Sequence, residues 1–122
     1  MTPAKHPHGL PEATAASPCY LNGEYTVLGE ARVSVLDRGF LFGDGAYEAM
    51  PVYGRRLFRF ADHMERLEHS LAKLRIANPL PADGWLERIR RVVADQHALS
   101  GAEDQAVYLQ VTRGVAARVT CR

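Results

Sequence analysis

Lysine is nearly absent from this chain: Lys5 and Lys73 stand against thirteen arginines. Any chemistry that needs a lysine amine in one place has only those two positions to draw on. Net charge is also small, +1 with histidine neutral, so there is no electrostatic reason to expect nucleic acid or an anionic membrane as partner. No apolar run approaches the length of a bilayer span, and no secretory apolar core stands near the N-terminus. Cysteine is limited to Cys19 and Cys121, near opposite ends. One distant pair makes neither a disulfide framework nor a metal-ligand spacing, and reduced thiols in a cytoplasm are the plainer reading. His6 and His8 flank a proline but supply too few of the roughly four ligands that a structural metal site takes, so no metal is expected.

What is present suits one small domain: 122 residues, 47% apolar and 24% charged, a composition typical of soluble globular proteins. Residues 1–17 are rich in Pro, Ala and His without apolar periodicity and read as a flexible tail, with the domain at 18–122. Asn22-Gly23, between the β-prone runs of Cys19–Val27, predicts a hairpin. Ala31–Val35 alternates like a strand, and Tyr47–Tyr53 with Arg56–Phe60 reads as a second hairpin turning at Gly54-Arg55. The period then changes to about 3.6. Met64, Leu67, Leu71 and Leu74 share one face of a first helix, and Trp85, Ile89, Val92 and Val93 form the stripe of a second, which ends at Ser100-Gly101. Asn78-Pro79 breaks the chain between them. Strand alternation returns at Asp104–Thr112. Segregated strands and helices predict an α+β fold, an antiparallel sheet with two helices packed on one face.

The densest motif is RGFLFGDGAYEAM, residues 38–50, with Gly39, Gly43 and Gly45. It matches neither the dinucleotide fingerprint nor the P-loop, which needs a Lys-Ser/Thr that is missing. It also leads into a strand, whereas phosphate-cradling loops of those classes lead into a helix. Tight backbone geometry accounts for the glycines. Period two puts Tyr47, Ala49 and Pro51 on one face of the following strand, and Glu48, Met50 and Val52 on the other. If the first face meets a ligand, Tyr47 offers a hydroxyl and Ala49 leaves room beside it; otherwise Tyr47 packs. Arg66 on the first helix, and Arg113 and Arg118 beyond the last strand, are either surface charges or anion ligands.

Five motifs, taken together, resemble the class IV aminotransferases, fold-type IV enzymes that use pyridoxal 5′-phosphate (PLP). They are Asp37-Arg38-Gly39, Phe42-Gly43-Asp44-Gly45, Tyr47-Glu48, His63-Met64-Glu65-Arg66-Leu67, and Tyr108–Gly114 followed by Arg118. The likeness covers roughly residues 19–118, the family's small N-terminal domain. Its details resemble the D-amino-acid (D-alanine) aminotransferases. Branched-chain aminotransferases usually have arginine where Pro51 stands, and aminodeoxychorismate lyases a Phe-Thr-Thr-like run at Tyr47-Glu48-Ala49. The resemblance implies that Arg66 binds the PLP phosphate and Tyr47 the substrate carboxylate. It implies that Arg118 traps that carboxylate in the neighbouring subunit of a homodimer. The substrates implied are a D-amino acid and a 2-oxo acid.

Two departures stand beside the likeness. Thr120 occupies the place of a histidine that the D-amino-acid branch usually has two residues past the trapping arginine. Neither Lys5 nor Lys73 matches the Schiff-base lysine, which in this family comes from a second domain, so no catalytic residue is assigned. The expectation is a truncated N-terminal domain, inactive alone, with exposed apolar surface where the partner domain packs. A non-catalytic module that dimerises or binds a small anion is the alternative.

Overall fold

The computed structural model describes residues 9–115. A short helix, α1 (Glu12–Ala15), lies inside the segment expected to be a tail, with Ala15 buried. The hairpin follows as β1 (Pro18–Leu21) and β2 (Glu24–Val27), paired antiparallel with Tyr20 opposite Tyr25. Both turn residues take positive φ, 49° at Asn22 and 93° at Gly23. That is the conformation a two-residue hairpin turn demands, and Asn and Gly are the residues that adopt it most readily.

A three-residue 3-10 turn (Leu28–Glu30) leads into residues 31–36, which form no strand. Alternation marks a two-faced segment, but a strand also needs a neighbour to bond. No described strand pairs here, and Val33 and Val35 are exposed. The glycine motif then opens as a helix, α2 (Arg38–Phe42), where the sequence suggested only a loop. The Asp37 side chain caps it by accepting from Gly39 N at 2.8 Å, and Gly43 closes it in the left-handed region at φ 64°.

The main sheet has strand order β4-β3-β5: β3 (Gly45–Tyr53) lies between β4 (Arg56–Leu57) and β5 (Gln105–Thr112), antiparallel to both. Strand β4 is shorter than its alternation suggested. Arg59 takes a left-handed conformation at φ 54°, and Phe60 already begins α3 (Phe60–Leu74). Helix α4 (Ala82–Ser100) ends at Gly101, also left-handed. Between the helices, Asn78 accepts from Trp85 Nε1 at 2.9 Å and donates to Glu68 at 2.8 Å, so the predicted break is itself hydrogen-bonded.

One face of the sheet holds the core. Met50 and Val52 of β3 and Leu109 and Val111 of β5 pack with Met64, Leu67 and Leu71 of α3 and with Trp85, Ile89 and Val93 of α4. The helical stripes predicted from spacing are the ones buried, apart from Val92 and Leu74, which are half-buried. Helix α4 also holds the first hairpin: Arg88 lies over the Tyr20 ring at 5.4 Å and Arg91 over Tyr25 at 3.7 Å. Among the described residues, no helix is long and apolar enough to cross a membrane.

Candidate active site

Strand β3 begins where α2 is tied to the end of β5. Arg38 N donates to Gly114 O at 2.8 Å, and Arg113 N donates to Asp44 O at 3.0 Å. Two of the three motif glycines are required by this approach, not by their dihedrals. A Cβ on Gly39 would collide with Thr112 Cγ2, and one on Gly45 would sit 2.6 Å from Val111 O. Only Gly43 needs positive φ.

Arg113 locks the same corner. Its guanidinium pairs with the Asp44 carboxylate and donates from Nη2 to Leu74 O at 2.6 Å, at the C-terminus of α3. The hydrogen bond to Asp44, followed by burial working against it and the charge of Asp44, leaves the guanidinium pKa raised. The structure thus uses Arg113 to join β5, the glycine loop and α3, and the anion-ligand alternative for it falls away.

From this anchored start, β3 alternates as its sequence implied. Tyr47 points to the outer face, 63% exposed, and stacks on Tyr108 of β5 with ring centroids 5.4 Å apart. Ala49 faces Tyr108 across the strands, and Tyr47 faces Gln110. No hydrogen bond ties the Tyr47 hydroxyl to another described residue.

Glu48 points the other way and is buried, only 4% exposed. Its Oε1 accepts from His63 Nδ1 at 2.7 Å and from Arg66 Nη2 at 2.8 Å; Arg66 Nε lies 3.0 Å from each carboxylate oxygen. A carboxylate only accepts, so His63 carries its proton on Nδ1. The 3.4 Å separation of Arg66 Nη2 from His63 Nδ1 therefore sets two donors side by side around one acceptor. Burial alone raises a carboxyl pKa. Here the hydrogen bonds from Arg66 and His63, with their charge, outweigh it and hold Glu48 below its ordinary value. The Arg66 pKa is raised, first by the hydrogen bond to Glu48, then by that residue's charge, with a lesser contribution from Tyr47.

Arg66 thus reaches Glu48 from α3, while Tyr47, one position earlier on β3, is exposed on the sheet's outer face and near enough to act on the Arg66 charge. The Arg66 side chain is 65% exposed, and its Nη1 has no hydrogen-bond partner among the described residues. That end of the guanidinium suits a phosphate. Arg118 lies outside the described residues, as do Lys5, His6, His8, Thr120 and Cys121. Lys73 is exposed in the last turn of α3.

By period two Glu48 falls on the face opposite Tyr47, and within the His63–Leu67 motif His63 carries no role of its own. The signal was there: a carboxylate in the core-facing row between Ala46 and Met50 demands a cation, and a His and an Arg three apart on one helix face supply donors.

The class IV amino-transferase family pattern matches residues 45–121. A D-alanine aminotransferase of Staphylococcus aureus (strain N315) is 38% identical over 99 residues, 81% of this chain and 34% of that protein. A fold IV-transaminase from Curtobacterium pusillum superposes with a TM-score of 0.72 at 28% identity, over 85% of this chain and 37% of the other. A branched-chain amino acid aminotransferase from Escherichia coli gives 0.72 at 22% identity, over 81% and 34%, a likeness of fold alone. The chain thus spans about a third of the length of the curated relatives it matches. With that family pattern over most of its length and a 38% identical relative, the chain belongs to the class IV aminotransferases.

Proposed function

We propose that these residues form the phosphate- and carboxylate-binding side of a D-alanine aminotransferase-type transaminase. Its reaction moves an amino group from a D-amino acid to a 2-oxo acid. The observation that carries the substrate class is the identity with D-alanine aminotransferases across 81% of the chain. The family and a solved neighbour in its PLP-bound form support pyridoxal 5′-phosphate as cofactor. When bound, it supplies the carbonyl carbon that takes up and returns the amino group.

In this reading Arg66 presents its open Nη1 end to the cofactor phosphate, and its fixed positive charge neutralises part of that dianion. The Tyr47 phenol donates to the substrate carboxylate, and small Ala49 leaves space next to it. Arg118 is a second carboxylate ligand, reaching the site of the neighbouring subunit in a cytoplasmic homodimer. Lys73 sits on the exposed end of α3 and does not serve as the cofactor-holding lysine, so the 122-residue chain does not transaminate alone.

Two assays test this. The chain with PLP, D-alanine and 2-oxoglutarate yields no sustained pyruvate; steady turnover overturns the inactivity. Grafting the matched 99-residue segment into the Staphylococcus aureus relative yields an enzyme that prefers D-alanine. A graft that prefers L-leucine instead favours the branched-chain reading, against which Pro51 speaks.

A further inference from the structure

We propose that Glu48 is a positioning residue, holding Arg66 by its Nε–Nη2 edge so that only the Nη1 end meets the ligand phosphate. The inference rests on the proposed reading of Arg66 as the phosphate ligand, and deepens it by saying which edge of the guanidinium binds and what fixes it.

Four observations lead there. Glu48 is buried in the core-facing row of β3, so its backbone and side chain are set by the sheet. Arg66 is mostly exposed, and a free arginine on a helix surface samples many rotamers. The contacts between them use Nε and Nη2 together, at 3.0 and 2.8 Å, which fixes the guanidinium plane as well as its position. His63, at 2.7 Å from the same carboxylate, keeps Glu48 from swinging aside. Core packing alone does not explain the arrangement. A buried charge is costly to desolvate, and an apolar residue of similar volume packs a core at least as well. What the carboxylate adds is direction: it occupies the side-on edge and leaves Nη1, with the outer Nη2 hydrogen, facing outward.

The opposing effect is electrostatic. Glu48 is an anion near another anion, and repulsion alone makes its removal strengthen phosphate binding. Positioning and repulsion therefore predict opposite signs for one variant.

The test uses the 122-residue chain with pyridoxine 5′-phosphate and pyridoxine as probes. Both lack the aldehyde and form no imine with Lys5 or Lys73. Glu48→Gln is expected to weaken pyridoxine 5′-phosphate binding about tenfold, the scale of one charge-assisted hydrogen bond, and to leave pyridoxine within about twofold. Unchanged or tighter phosphate binding overturns the proposal. So does equal weakening of both probes, which marks a merely structural role. Arg66→Ala separates the two levels: if it leaves pyridoxine 5′-phosphate affinity unchanged, the phosphate reading of Arg66 fails and this inference with it. If Arg66→Ala weakens binding and Glu48→Gln does not, only the positioning role fails.

A measurement on the unmodified chain covers the case in which Glu48→Gln does not fold. In nitrogen-15 spectra, pyridoxine 5′-phosphate is expected to shift the Arg66 Nη signals and leave Nε–H in place. An equal shift at Nε means that phosphate has displaced Glu48, and the proposal is wrong.

Discussion

Gly39 lies against Thr112 so closely that a single added methyl at position 39 meets the threonine Cγ2. Through this contact the helix ahead of β3 is seated on the end of β5. The seating determines where β3 starts and which face Tyr47 takes. Asp44 and Arg113, 69 positions apart in the chain, close the same corner. The glycine motif and the Thr-Arg-Gly motif are two halves of one structure.

Gly39→Ala is expected to destabilise the chain by about 1–3 kcal/mol through overpacking. Thr112→Ser removes the nearest methyl and keeps the hydroxyl that accepts from Gly114 N at 3.1 Å. The double variant therefore recovers part of the loss, a coupling of at least about 0.5 kcal/mol. Urea denaturation of the four proteins measures it, and strictly additive effects contradict the contact.

Arg75 ends α3 in the left-handed region at φ 56°, where its carbonyl receives Arg113 and its side chain makes no hydrogen bond or ion pair among the described residues. Arg75→Gly relieves the backbone strain and gives back some of the gain through a freer unfolded chain. A net stabilisation of about 1 kcal/mol is expected. An unchanged or lower denaturation midpoint counts against it.

The depressed Glu48 pKa gives stability a definite pH slope. The folded protein binds fewer protons here than the unfolded chain, so this contribution is complete above the ordinary carboxylate value of about 4.3 and is lost as pH falls through the lower folded value. Arg66 and His63 are the groups that face it. Urea midpoints of the wild type and Glu48→Gln, measured between about pH 3 and pH 6, are expected to converge toward the acid end. Parallel curves sink the assignment of that slope to Glu48.

Local signals made much of the fold legible. Asn22-Gly23 marks its hairpin because both residues tolerate positive φ, and the two helices show because fifteen and nineteen residues carry several turns of periodicity. Helix α2 was hidden, since five residues are too few to display a period. Ala31–Val35 misled because alternation cannot report whether a partner strand exists. At the candidate site, Tyr47 and Arg66 are proposed from the family likeness and not from their spacing. The Glu48–His63–Arg66 cluster needed the structure, which shows α3 lying over the core face of β3. Arg113 was ambiguous for the same reason, as its partners are far away in sequence.

In the graft described above, Tyr47→Phe removes only the phenol oxygen and keeps the ring that stacks on Tyr108. The expected outcome is a rise of about tenfold in the D-alanine KM, the scale of one lost hydrogen bond to a charged group. Affinity for pyridoxine 5′-phosphate stays the same. An unaltered KM removes Tyr47 from the carboxylate site.

The most direct test of the account is the phosphate selectivity of Arg66 in the 122-residue chain. Titration with pyridoxine 5′-phosphate and with pyridoxine gives two affinities for the wild type and two for Arg66→Ala. The account predicts that the wild type prefers the phosphorylated probe, and that Arg66→Ala lowers that preference at least about tenfold without changing pyridoxine binding. A wild-type chain that does not distinguish the two probes, or an Arg66→Ala chain that distinguishes them equally well, contradicts it.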